Sequence, residues 1–549
     1  MESQRALITI ALSVAILMIY QYFFVPAPPP VPEQAPVATL AAKAEAPKAP
    51  PAPTVSQAAG GPQGLPARAG REIPVETDLY KAVVAEANGV IKSFQLKRYR
   101  ETLDHQSALK ELVRTTPAQG LPLFFSWGVE PGRADHLVYT ADAAKVTVTG
   151  DAAQTLTMTG TLPSGLVIER RYTFRKDDYR IGLTVTVRNR SDAPLHGAPY
   201  LAMVNRPFTD QESQFLFQGP AAYMGGVLHE LKLKDIQKAG GSSLTGSVRW
   251  VAYEDTYFMT SIVPQEMSQA TAHFSVTDES KVTSVLAGAA DTIAPQASKE
   301  YKYTLYFGPK ELKLLKTLGS DLERAVDFGW FDVIARPTLY LLNFLYKFVG
   351  NYGLAIILVT VLIKLLFWPI SQKGMESMKT MQKIQPKMAK MREKYKDDKV
   401  RQQQEMMKLY QTYKVNPLGG CLPMVLQIPV FFALYKVLLQ SIELRHAPFM
   451  LWITDLAAPD RLYIGFDIPW LHGIPVLTLL MGGTMFLQQK MTPTTGDPTQ
   501  AKIMLFMPVI FTFMFLNFAS GLVLYWLVNN LLTIGQQYLV NRKTALAEE

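Results

Sequence analysis

One basic side chain of this chain sits where charge is expensive. Lys364 falls within NYGLAIILVTVLIKLLFWPISQ (351–372), an apolar run long enough to cross a bilayer. A cation at that depth costs about 2.5–3.5 kcal/mol on insertion scales, so it marks a functional site by default. Thr360 lies four residues before it, one helical turn away on the same face. Further polar side chains occur in later apolar runs: Gln427, Asn517, Ser520, Tyr525, Trp526, Asn529 and Asn530. None of these runs contains an acid, so the available chemistry is hydration and hydrogen bonding of a lone ammonium rather than an ion relay. Two readings of Lys364 stand side by side. Its stem snorkels to an interface marked by Trp368 and Pro369, or its head lines a wet cavity shared with the other polar groups. For the asparagines, hydrogen-bonded helix packing is the alternative role.

Other chemistries lack their residues. No HExxH, GxSxG or phosphate-loop spacing occurs, and His105, His136, His196, His229 and His273 are scattered singly. Neither an enzyme nor a bound cofactor is expected. An intramembrane protease would need a histidine near Ser520 or a pair of aspartates within the spans, and has neither. The single cysteine, Cys421, rules out an intrachain disulfide. The formal charge of +9 over 549 residues resembles nucleic-acid affinity until it is mapped, because much of it falls in one loop between apolar runs.

The elements that position these residues read in order as follows. Residues 1–25 form a signal-anchor helix, too long in its apolar part for a cleavable signal. Residues 26–71, rich in Pro and Ala (PAPPPVPEQAP, APKAPPAPTV), form an extended linker. Over 72–322 the period changes to two, as in Val146-Thr-Val-Thr and Arg180-Ile-Gly-Leu-Thr-Val-Thr-Val, and turn signals separate many short strands. That pattern predicts an exported β-sandwich closed by a short helix. Residues 327–347, aromatic and interrupted by Pro337, suit an amphipathic helix lying in the interface; the start of the next span is the alternative.

Residues 351–372 are the second span, and 373–417 form a cytoplasmic segment with twelve Lys and Arg against five acids. Within it Met375, Met378, Met381, Ile384, Met388 and Met391 recur at helical spacing, Asp397-Asp398 makes a turn, and Met406, Leu409 and Tyr410 follow. This is a helical hairpin. Its methionines either form the hairpin's own seam or offer an adaptable docking face, with Met378, Met381, Met388 and Met391 as candidates. Its positive charge suits anionic headgroups and ribosomal RNA alike. Spans over 418–440, 474–489, 503–518 and 521–541 follow, with an outer loop over 441–473, an inner loop over 490–502 and a tail over 542–549. Six spans with both termini cytoplasmic satisfy the charge rule at every loop.

Three stretches carry a resemblance: KVNPLGGCLPMVLQIPVF (414–431), LRHAPFMLWITDL (444–456), and KIMLFMPVIF (502–511) with SGLVLYW (520–526). They are similar to the YidC/Oxa/Alb membrane-insertase family, over the whole chain and in its Gram-negative form. The resemblance implies a periplasmic supersandwich and a five-helix core in the inner membrane. Its hydrophilic groove would open to cytoplasm and lipid and close toward the periplasm. Motif matching assigns Lys364, Thr360, Gln427 and Tyr525 to that groove, with lysine where the family most often has arginine. Trp526 stands where a second tyrosine is common, and adjacent helical residues diverge by about 100°, so one of the pair suffices. The implied activity is insertion and chaperoning of nascent membrane proteins. The implied partners are the Sec translocon, the ribosome, the signal recognition particle receptor and the phospholipid bilayer, with no specific nucleic-acid sequence. A secondary transporter, or an assembly chaperone without insertase activity, is the rival class; the chain lacks the paired inverted repeats and acidic coupling residues of the former.

Overall fold

The structure, a computed structural model, describes residues 70–546 apart from 105, 131–136, 210–215, 267–268, 279, 414–421, 466–470 and 493–497. The expected signal anchor and the linker up to residue 69 lie outside the described residues, as do His105, His136 and Cys421.

The alternating stretches form strands, and the alternation states which side of each is buried. Arg180–Asn189 buries every second residue, and it pairs antiparallel with Leu166–Phe174 on one side and Ser298–Pro309 on the other. A larger sheet of 14 strands is continuous only because the 13-residue strand Ser242–Glu254 serves two partners in succession. Its first half pairs with Gln269–Thr277, and its second half with Gly219–Met224 and Phe258–Pro264. A strand that leaves one layer and enters the next makes the corner of a sandwich. A second sheet of 5 strands lies against it, and the stack of Tyr80 on Phe94 (4.5 Å) and Phe94 on Phe307 (4.9 Å) joins the two sheets.

Nine helices are described. Two are short, about two turns each, α1 (Leu233–Ala239) and α2 (Leu312–Leu318). Then come α3 (Asp332–Val349), α4 (Tyr352–Lys394), α5 (Lys399–Thr412), α6 (Leu422–Gln440), α7 (Val476–Met491), α8 (Pro498–Phe515) and α9 (Ser520–Leu546). By length and composition α4 is long and apolar enough to cross a membrane, and Leu426–Gln440 and Met504–Phe515 are shorter apolar segments. Leu362, Leu365, Leu366, Phe506, Ile510 and Phe513 are exposed on this bundle. Large apolar side chains left open along helices in this way suit a lipid environment.

Helix α4 runs unbroken for 43 residues, through Pro369 and Pro386. At 1.5 Å per residue it is about 65 Å long, twice the roughly 30 Å hydrocarbon core, so the apolar run and the first arm of the hairpin are one rod. Each proline removes one backbone donor, but the buried stripe Met381, Ile384 and Met388 gains its partners only if the helix continues. Those partners are Met406, Leu409 and Tyr410 of the returning helix, so Met381 and Met388 are used up as the hairpin's seam rather than presented as a docking face. Met378 and Met391 are half-buried and outside that cluster.

Helix α3 follows the β domain in the chain and packs on the bundle. Phe331 stacks on Phe432 of α6 at 5.4 Å, Tyr346 stacks on Tyr352 of α4 at 3.9 Å, and Asn343 links the Tyr352 hydroxyl to Glu443.

Beside this junction the β domain buries two neighbouring carboxyls. Glu254 has one oxygen 2.7 Å from Lys310 Nζ, and Asp255 Oδ1 accepts from the amides of Tyr257 and Phe258 at 2.8 and 2.7 Å. Burial nevertheless pushes both above the ordinary carboxylate range. A raised folded-state value means the native chain holds protons that the unfolded chain has released. The stability these groups contribute is therefore present at low pH and lost as pH rises above the ordinary range of about 4. Asp255→Asn keeps the oxygen that the two amides need and cannot ionise. Its melting temperature relative to wild type, followed by intrinsic fluorescence in detergent, is expected to rise steadily with pH; a pH-independent difference would contradict the assignment.

Candidate functional site

Lys364 is 8% exposed, and its head turns inward. The ammonium donates to Thr533 Oγ1 of α9 at 2.7 Å, and the Thr533 hydroxyl in turn donates to the Asn529 carbonyl at 2.7 Å. Among the described residues no carboxylate pairs with it. One of three ammonium donors is thus engaged by a neutral oxygen, and the formal charge is not cancelled.

Beside it is a cavity walled by three helices. Helix α4 contributes Thr360, Ile363, Lys364, Phe367, Ile370 and Ser371; α6 contributes Leu426, Gln427 and Val430; α9 contributes Tyr525 and Asn529. Its volume is ≈ 430 Å³, counting the part open to solvent, and it is narrow but wide enough to admit water. Thr360 donates its proton to the Ile356 carbonyl at 2.7 Å, leaving its lone pairs to the cavity, and Gln427 and Tyr525 face the same space.

Of the residues singled out from the sequence, Lys364, Thr360, Gln427 and Tyr525 therefore meet in one space, and Trp526 does not share it. Its ring packs against Phe431, Phe515 and Phe511, at 4.7, 5.1 and 6.2 Å between centroids. The two asparagines divide their roles. Asn529 lines the cavity, while buried Asn530 reaches Thr484 of α7 at 3.3 Å, as does Gln537 to the Met491 carbonyl at 2.7 Å. Thr533 was missed by sequence reasoning, although a signal existed. Asn529, Thr533 and Gln536 recur at three to four residues, the spacing that singled out Thr360 and Lys364.

Described residues of the loop between α6 and α7 hydrogen-bond the helix ends on one side of the bundle. Asp460, 2% exposed, accepts from Trp452 Nε1 at 2.6 Å and from the amides of Leu477 and Thr478, at 2.5 and 3.2 Å, at the start of α7. The adjacent Arg461 donates to the Leu516 carbonyl at 2.8 Å and to Asn517 Oδ1 at 3.0 Å, at the end of α8. An acid on a helix N-terminus and a base on a C-terminus both satisfy orphan backbone groups and complement the helix dipoles. The loop also accepts the amides of Ser520 and Gly521 at the start of α9, through the Ala458 and Leu456 carbonyls at 2.8 and 2.9 Å. Three helix ends are thus fastened by one loop. Gly353 lets α4 join them, since a Cβ there would lie 2.0 Å from the Phe449 ring.

Known proteins resemble the whole chain. Residues 72–341 match the family model described as the YidC periplasmic domain, and residues 344–547 the one described as the 60Kd inner membrane protein. The curated membrane protein insertase YidC of Syntrophus aciditrophicus is 43% identical over 559 residues, covering 98% of this chain and 99% of that protein. The one from Citrifermentans bemidjiense is 42% identical over 552 residues, covering 99% of each. Among solved structures, an active YidC insertase with its first transmembrane domain resolved is 18% identical, covers 87% of this chain and 94% of its own, and superposes with a TM-score of 0.36.

Asp460→Ala strips three donors of a buried acceptor and uncaps α7. A loss of about 2–4 kcal/mol in stability is expected, read as a lower melting temperature in detergent with Trp452 fluorescence as the local reporter. A melting curve superimposable on wild type would show the cap to be idle.

Proposed function

The chain belongs to the YidC family of inner-membrane protein insertases, and we propose that it moves the polar flank of a nascent hydrophobic segment through the space beside Lys364. The single observation that carries this reading is an ammonium held inside an apolar bundle, next to a wettable cavity, by a neutral partner alone. At 4 Å and an effective dielectric constant of about 20, an ammonium attracts a carboxylate by about 4 kcal/mol. That matches the 2.5–3.5 kcal/mol that an acidic residue costs at the centre of a span, on the order of the same scales. An internal ion pair would have spent this attraction within the protein.

The topology that goes with this reading has six spans, five of them forming the core bundle that holds the cavity, and both termini in the cytoplasm. The β domain then lies in the periplasm, where the 441–475 loop seals the groove, and the hairpin of α4 and α5 lies in the cytoplasm at its entrance. The lengths of α7 and α8, 16 and 18 residues, support a locally thin bilayer there. They correspond to about 24 and 27 Å, below the roughly 30 Å of an ordinary core. A flank carried part-way by the cavity then has a short remaining path. Burial of the segment's apolar surface in lipid, at about 25 cal/mol per Å², drives its sideways release. The basic hairpin suits anionic headgroups and a ribosome, and the Sec translocon and the signal recognition particle receptor fit the same cytoplasmic entry and lateral exit.

Lys364→Glu is expected to impair insertion of substrates with acidic flanks by tenfold or more, and of neutral ones less, when the full chain is reconstituted in liposomes. Photocrosslinkers at 360, 427 and 525 should capture a stalled nascent chain, while one at 526 should capture it weakly. Normal insertion of acidic-flanked substrates by the Glu variant would remove the charge from the mechanism, and failure to insert anything without other proteins would favour an assembly chaperone.

A further inference from the structure

We infer that Thr533 is a positioning residue of the insertion groove: its hydroxyl holds the Lys364 ammonium on the wall between α4 and α9, with the charge left free for a substrate carboxylate. The inference rests on reading that cavity as the path of the substrate flank. It starts from a property of lysine. A four-carbon stem carrying a compact head has many rotamers, so by itself it does not fix where the charge sits. Thr533 supplies the fixed point, with Nζ and Oγ1 2.7 Å apart.

The direction of this hydrogen bond is settled by the next one. The Thr533 proton is committed to the Asn529 carbonyl one turn back, at 2.7 Å, so the oxygen presents lone pairs to the ammonium. Asn529 itself lines the cavity, which brings the pair to the groove's edge. A second link between the same two helices keeps them in register: Gln536 Nε2 donates to the Trp368 carbonyl at 3.2 Å, three and four residues further along. Because the acceptor is neutral, a passing carboxylate gains the full charge, and Lys364 does not have to abandon an ion pair to meet it. After the flank has passed, the hydroxyl takes the head back.

The test uses the full chain in phosphatidylethanolamine and phosphatidylglycerol vesicles, with two single-span substrates that differ only by Asp or Asn in the flank that crosses. The readout is the ratio of protease-protected Asp-flank product to Asn-flank product, which a general loss of folded protein does not move. Thr533→Val should lower that ratio about fivefold, the weight of one ordinary hydrogen bond, and Thr533→Ser should keep it within about twofold of wild type. Lys364→Gln should abolish the preference. A wild-type ratio in Thr533→Val, or a Thr533→Ser ratio as low as that of the valine variant, overturns the positioning role while Lys364→Gln still upholds the groove. A wild-type ratio in Lys364→Gln sinks the groove reading and this inference with it.

Discussion

A cation inside a bundle of apolar helices constrains everything near it. Left to lipid, Lys364 would cost a few kcal/mol, a large part of the stability of an ordinary domain. Neutralised by an internal carboxylate, it would be cheap and inert. The structure takes the middle course of one neutral hydroxyl, a narrow wettable space, and apolar packing on the remaining sides. A partner that satisfies geometry without cancelling charge keeps an attraction available, and the narrowness keeps that attraction from being diluted by bulk water. The rest of the bundle can be read as what is needed to hold that compromise in place.

On the proposed reading, holding it requires helices fixed at one end and separable at the other. At the end nearest the β domain, Asp460 and Arg461 fasten α7 and α8, and the backbone carbonyls of Leu456 and Ala458 fasten α9. Adjacent residues of opposite charge serve neighbouring helix ends of opposite polarity because consecutive antiparallel helices present an N-terminus and a C-terminus side by side. The loop that carries them has Leu462 and Ile474 exchanging both backbone hydrogen bonds at 2.8 Å, so the clasp is itself closed. On the proposed reading this fastened end is the sealed one, and the cavity lies toward the opposite side.

Much of this was legible in the residues. Alternation marked the strands because one face of each meets a core, and the depth of Lys364 marked the site because its position in an apolar run is visible without any contact. Its partner was not visible. Thr533 lies 169 residues away, and a threonine in an apolar helix is as compatible with back-bonding to its own turn as with reaching another helix. The continuous α4 was hidden by Pro369 and Pro386, whose local preference for a break is outweighed by the packing of Met381, Ile384 and Met388. The same packing decided between seam and docking face for the methionines, which depends on a partner helix that periodicity alone does not identify. Helical rotation separated Tyr525 from Trp526, but which of the two would meet the cavity depended on Phe431, Phe511 and Phe515 offering the indole a place to pack. The strand Ser242–Glu254 has an alternating first half and a buried second half, a pattern that follows from its change of partner.

The junction between the β domain and the helices follows from the same requirement. Arg445, just beyond α6, donates to the carbonyls of Arg100 and Glu101 at 2.7 and 3.2 Å and lies 5.5 Å from the Phe258 ring. Phe331 and Tyr346 stack on α6 and α4 through the intervening helix. Hydrogen bonds to backbone acceptors and ring stacks are weakened by salt less than exposed ion pairs are. Arg445 ties the segment after α6 to the β domain, and the two ring stacks tie the approach to α3 and α3 itself to α6 and α4. On the proposed reading, this attachment stands behind the clasp that keeps the end of the bundle nearest the β domain shut, so the caps there do not have to resist the substrate by themselves.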